Sequence, residues 1–250
     1  MNRFFGVGAV MVAATMLGAV LMPAPASAAQ QGGDVSGVWW GVKYSPKLEV
    51  QGGGDIPYNE AGRAKYAQNI AGLRDGSLKD EARRLCVPDG VPRILGNPYP
   101  FKIIHSPGQT TIFYELNRVF RVVRMGAQQL TPLELEIAPY YSGHSVGRWE
   151  GDTLVIETAG FKEGKTFLDA TGAPHSDQLK TVERIRKVGN QLENVVTITD
   201  AAMLTRPITA RYVYNAHPDV QVQTDYVCGE PHRDISHIPG VNEARRARGQ

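Results

Sequence analysis

Tight-turn signals recur through most of this chain, and they limit its fold more than any other feature. Gly151-Asp152 separates the strand-like runs 146–150 and 153–158, and Gly189-Asn190 separates 179–188 from 191–199. Pro107-Gly108 stands between 101–105 and 110–115, and Asn117-Arg118 precedes the run 119–124. His217-Pro218-Asp219 lies between 208–214 and 220–228. Two-residue breaks between alternating apolar runs join antiparallel neighbours. With a first strand at 35–42, the count reaches nine or ten. A meander of that length hides its edges only by pairing with itself. The expected fold is mainly β: an antiparallel meander closing into an up-and-down barrel.

Helix is expected only before residue 90. Asn59 can cap a helix through Asn69, with Ala61, Ala64, Tyr66 and Ala67 inside it. Ser77-Leu78-Lys79-Asp80 resembles a capping arrangement for a second short helix ending near Cys86. The prolines at 88, 92, 98 and 100 then forbid helix and leave an extended loop. No Rossmann fingerprint, P-loop or long internal repeat is present.

The N-terminus reads as an export signal. Arg3 precedes an uncharged apolar run from Val7 to Met22, and Ala26-Ser27-Ala28 is a small-x-small cleavage site. The expected organisation is a signal peptide at 1–28, one barrel domain at 29–232 and a flexible tail at 233–250. The product is secreted or periplasmic, with no membrane span once the signal is removed. Oxidising surroundings favour pairing of the only two cysteines, Cys86 and Cys228. The formal charge of +2 comes with no basic stripe or RNA-binding signature, so no nucleic-acid partner is expected.

Several stretches resemble a family of exported bacterial proteins: Ser36-Gly37-x-Trp39, Cys86-x-Pro88-x-Gly90-x-Pro92-Arg93 and Pro98-Tyr99-Pro100-Phe101. The most specific is Gly143-His144-Ser145-x-Gly147-x-Trp149-x-Gly151-Asp152-Thr153-Leu154, and Pro174-His175-Ser176 completes the set. The resemblance implies export and brings no activity with it. Gly37-x-Trp39 is also similar to the opening of lipocalin-type barrels, so the expected barrel is lipocalin-like.

Chemistry is sought first at two loop histidines. His144 follows Tyr140 and Tyr141 and precedes a strand, where an imidazole can serve acid/base work in a cavity or simply anchor backbone. His175 lies in a polar loop with Asp169 and Asp177, either of which could orient the ring, although the same residues suit an ordinary turn. Glu183 and Arg184 occupy opposite faces of an alternating strand, so one of them must point inward and needs a partner, for which Arg93 is available. The catalytic candidates are His144, His175, Asp169 and Glu183. Arg93, Tyr99, Tyr141 and Trp149 would contact substrate. No close-spaced ligand pair exists, so neither metal nor organic cofactor is expected. Ser145 fits the letters G-x-S-x-G, but strand sequence follows where a nucleophile elbow needs a helix. Two readings follow. One is an enzyme carrying out elimination, isomerisation, cyclisation or hydrolysis on a small, partly apolar molecule. The other is a lipocalin-like carrier of such a molecule.

Overall fold

Residues 33–225 are described by the computed structural model. Residues 1–28, Cys228 and the tail at 233–250, with the assignments made for them above, lie outside the described residues. Nine strands close into one barrel in chain order. They are β1 (Gly37–Gly41), β2 (Phe101–Ser106), β3 (Gln109–Tyr114), β4 (Val119–Met125), β5 (His144–Glu150), β6 (Thr153–Ala159), β7 (Lys180–Val188), β8 (Gln191–Thr199) and β9 (Ile208–Ala216). Two-residue turns join β2 to β3, β5 to β6 and β7 to β8. Gly151 takes φ 63° in the β5–β6 turn, where a side chain would be strained. The run 220–225 is not strand.

An odd ring cannot alternate in direction at every seam. Eight neighbouring pairs of this barrel run antiparallel, and β4 with β5 runs parallel. The wholly antiparallel meander is corrected on this point. A parallel neighbour needs a long connection rather than a hairpin. Residues 126–143 supply it and carry a helix, α3 (Pro132–Ile137), that was not expected. Its start is nevertheless legible: Thr131 and Glu134 form a capping box, with Pro132 in the first turn.

The other two α-helices among the described residues are α1 (Glu60–Asp75) and α2 (Glu81–Leu85). Asn59 caps α1 as expected, its Oδ1 accepting from the Gly62 amide at 2.9 Å. The helix runs past Asn69 to an αL cap at Gly76, and the Asn69 side chain is held inside the fold, Nδ2 donating to the Gly172 carbonyl at 2.9 Å. Asp80 rather than Ser77 precedes α2. The Ser77 amide is taken by Asp75 Oδ1 at 2.8 Å in the turn after α1.

Alternation along each strand sends one set of side chains inward. Trp39, Ile103, Ile112, Leu154, Ile156 and Leu192 fill the core. On β7 the inward set is Thr181, Glu183 and Ile185, so the buried charge is Glu183, and Arg184 is exposed.

Candidate functional site

The β4–β5 seam is short. Only Val123↔Ser145, Arg124↔Val146 and Met125↔Gly147 are paired. The first half of β4 therefore has no strand beside it on that side. The start of β5 is tied by a side chain instead, Gln129 Nε2 donating to the His144 carbonyl at 2.9 Å. Between the two lies a cleft of about 520 Å³, lined by β4, by Pro88 and Asn117, and by residues 140–145. Phe120 and Tyr140 are exposed at its flanks.

Arg121 lines this cleft from inside the barrel and is only 3% exposed. Its Nη2 meets Glu183 Oε1 at 2.5 Å and Thr158 Oγ1 at 2.7 Å, and its Nε donates to Ser145 Oγ at 3.0 Å. Glu183 Oε2 accepts from Asn194 Nδ2 at 2.8 Å. The Arg121 guanidinium also pairs with the Tyr114 hydroxyl, and Arg121 Nη1 and Arg124 Nη2 are both buried away from solvent. Burial opposes the Arg121 charge, but Glu183 and the nearby Tyr114 outweigh it and keep the guanidinium protonated. Burial also pushes the Tyr114 hydroxyl up, out of reach of ordinary titration.

Arg121 thus takes the place expected of Arg93 as the partner of Glu183. Arg93 is spent elsewhere, on Asp80 at 2.8 Å and Asp89 at 3.1 Å. The missed residue had a readable signal. In the run 119–124, Arg121 shares a face with Val119 and Val123, the same alternation that flagged Glu183.

Of the expected site residues, the cleft brings together His144 and Tyr141. The His144 ring stacks on Tyr140 at 4.4 Å, and its Nε2 lies 2.6 Å from the Ala138 carbonyl. A carbonyl only accepts, so Nε2 carries the proton. His175 is not among the residues lining the cleft. It is buried, with Nδ1 donating to the Ser176 carbonyl at 2.9 Å and Nε2 2.7 Å from the Thr166 hydroxyl. Neither Asp169 nor Asp177 orients it. Asp169 binds the Leu48 amide at 2.9 Å and the Thr171 hydroxyl at 2.7 Å, fixing its own loop. Trp149 packs edge-on to His105 at 5.4 Å. Tyr99 lines a different depression, shared with Arg93 and Tyr44. Among the described residues, no three His, Cys, Asp or Glu side chains group to hold a metal ion.

The G-H-S-x-G-x-W motif follows the seam. Ser145 anchors Arg121, and its hydroxyl also lies 3.0 Å from that of Thr158. Gly147 lets β5 close on β4: a Cβ there would lie 2.6 Å from Val123 Cγ1 and 2.8 Å from Met125 Sδ. Ser145 is followed by strand, as its sequence implied, and is not on a nucleophile elbow.

The architecture is a nine-stranded β-barrel with a lateral cleft at its one parallel seam. No protein-family model and no curated protein matches the sequence. Among solved structures, the chain is similar to a "secretary abundant heat soluble (SAHS)" protein of Ramazzottius varieornatus, at 10% identity and a TM-score of 0.28. The alignment covers 73% of this chain and 95% of that one.

Proposed function

We propose that this is an exported, lipocalin-like carrier that holds a small, partly apolar molecule in the β4–β5 cleft. The observation that carries the reading is the cleft itself. Its volume of about 520 Å³ falls in the range of small-molecule sites, and it sets aromatic walls beside a few polar groups. The lining favours a carrier over an acid/base enzyme. Proton transfer in both directions needs two titratable groups near one reacting atom. The cleft offers one imidazole, His144, and no carboxylate lines it. The test is binding of the neutral fluorophore N-phenyl-1-naphthylamine to the native protein. One dye should bind per chain, and Ser142→Trp, which fills the cleft from a half-buried position, should abolish binding while the fold persists. Unaltered binding in Ser142→Trp would place the ligand elsewhere.

Export rests on the signal-like sequence of residues 1–28, and a Cys86–Cys228 disulfide would accompany it. No helix among the described residues is long and apolar enough to cross a membrane, and none of their cysteines is free. The Gln223 amide donates to Glu115 Oε2 at 2.8 Å, and Asn117 Nδ2 donates to the Val87 carbonyl at 3.0 Å. One turn thus holds both the neighbour of Cys86 and the chain leading to Cys228. A loop of this length is worth about 4–5 kcal/mol in the chain-entropy treatment. Non-reducing mass analysis should show a deficit of about two daltons, since pairing removes two thiol hydrogens. Two thiols titrating in the native protein would refute the bridge.

A further inference from the structure

We propose that the outer wall formed by β2, β3 and β4 docks on an anionic lipid surface. The inference concerns the outside of the barrel and does not depend on the cleft holding a ligand. Its first support is the alternation of β4. A strand with one face in water ordinarily turns its apolar set to the core and its polar set outward. In β4 the inward set carries the charged Arg121, whereas Phe120 and Val122 point outward and are exposed. Apolar side chains turned outward are what a strand facing lipid presents.

Register spreads this pattern onto the neighbouring strands. Phe120 lies opposite Phe113, and Val122 reaches Ile104 through Thr111. Phe120 is 65% exposed although its ring stacks on the buried Phe113 at 4.5 Å, so it is braced outward rather than folded back. Tyr140 shares the cleft margin with Phe120 and Val122. Ile104, Phe120, Val122 and Tyr140 are all exposed on this side of the barrel. A single exposed apolar side chain needs no explanation, but a contiguous group of them marks an interaction surface.

Charge identifies the partner. Lys102 stands in the same cross-strand row as Phe113 and Phe120, and Arg118 immediately precedes β4. Both are exposed, and neither joins a salt bridge among the described residues. No Asp or Glu is among the outward residues of β2, β3 and β4, and none lines the adjoining cleft. Arg124 is left out of the count, because Glu134 stands near it. An apolar centre with a cationic border matches an anionic bilayer surface. A two-fold pairing with a second copy would set these cations against their own counterparts. A folded partner would need a pocket for each projecting side chain, whereas the acyl boundary accepts them without one. The opposite wall lacks the pattern: the outward positions of β7 include the exposed Lys180, Arg184 and Arg186. The barrel therefore lies on the surface by one side and does not span it.

The experiment is vesicle flotation with the full mature protein. It uses phosphatidylcholine alone and phosphatidylcholine carrying about 30% phosphatidylglycerol. The protein should float with the anionic vesicles, bind the neutral ones about tenfold less, and be released by salt. Phe120→Ser should lower binding by about tenfold. Ile104→Thr, at an exposed position away from the cleft, keeps a strand-forming residue and should lower binding by about fivefold. Lys102→Gln with Arg118→Gln should lower it by about tenfold. Arg184→Gln with Arg186→Gln removes the same charge from the opposite wall and should leave binding unchanged. Absence of flotation overturns the proposal, and so does equal flotation with the neutral vesicles. Binding that survives both Phe120→Ser and Ile104→Thr, or that falls as far with the opposite-wall pair, places the contact elsewhere and overturns it too. A dimer in sedimentation that Phe120→Ser dissolves would give this face to a second copy and overturn the lipid partner.

Discussion

Nine residue pairs join β7 to β8, whereas three join β4 to β5. Both seams border the same buried polar network, and the contrast lies in access. On the β7–β8 side Glu183 is 0% exposed, with its two oxygens taken by Arg121 and Asn194. Thr181 Oγ1 and Asn194 Oδ1 also lack partners there, but paired strands enclose them. On the β4–β5 side Arg121 and Arg124 line an open cleft, although their buried nitrogens do not face it. Strand count requires that one seam be parallel, and the 126–143 connection puts it between β4 and β5. Nine antiparallel-preferring strands in a ring force one parallel seam, and parallel pairing is slightly weaker per residue. The cleft at that seam lies where the topology already imposes a break in pairing.

The largest expected effect comes from breaking the network on its closed side. Glu183→Leu leaves a buried guanidinium without its counter-charge, which costs about 3–5 kcal/mol. Urea denaturation should show the midpoint falling with little change in slope. Replacing both partners, Arg121→Met with Glu183→Leu, should recover a large part of the loss, because buried ion pairs are often matched by well-packed apolar residues. A single substitution costing under about 1 kcal/mol would mean that water reaches Arg121 through the cleft well enough to solvate it, and the two seams would then differ less than their geometry implies.

The hairpin seams are the legible ones. Hairpins between adjacent strands leave a local signature, a glycine-bearing turn between alternating runs, and β5–β6 and β7–β8 were read correctly from it. The β4–β5 seam has no such mark, because its partners are separated by 126–143 and nothing local says which strands meet. The site suffered the same way. Alternation says only that Glu183 or Arg184 turns inward; the structure buries Glu183, and its partner comes from the far wall. His175 was read as available because its loop is polar, when that polarity is spent on itself: Asp200 binds the Ser176 amide and hydroxyl, each at 2.7 Å. Which polar groups satisfy one another is a tertiary fact, and sequence spacing does not carry it.

The middle-sized effect tests how closely the open seam is packed where it does pair. Gly147→Val would drive a branched side chain into Val123 and Met125, both on β4. Overpacking of this kind costs about 1–3 kcal/mol. The added cost here is selective, since parting β4 from β5 also widens the cleft. Thermal denaturation should show a lower midpoint, and N-phenyl-1-naphthylamine affinity should change with it. A valine that lowers the midpoint without altering dye affinity would show that the paired and unpaired halves of this seam are independent.

The smallest effect separates the two sides by pH. Burial holds His175 below its ordinary pKa of 6.5, while the Ser176 carbonyl and the Asp200 charge pull weakly the other way. The folded protein therefore refuses a proton that the unfolded chain accepts. Stability from this group is complete above about pH 6.5 and is lost as pH falls from there toward the depressed folded pKa. His105, half-buried beside Trp149, is shifted in the same direction by burial. His175→Gln should therefore shrink the acid limb of the stability profile rather than erase it. Glutamine keeps an amide able to donate to the Ser176 carbonyl and accept from Thr166, so stability at pH 8 should change little. The measurement is the denaturation midpoint at several pH values between 5 and 8. An acid limb as steep in His175→Gln as in the parent would assign the pH response to other groups, His105 first among them.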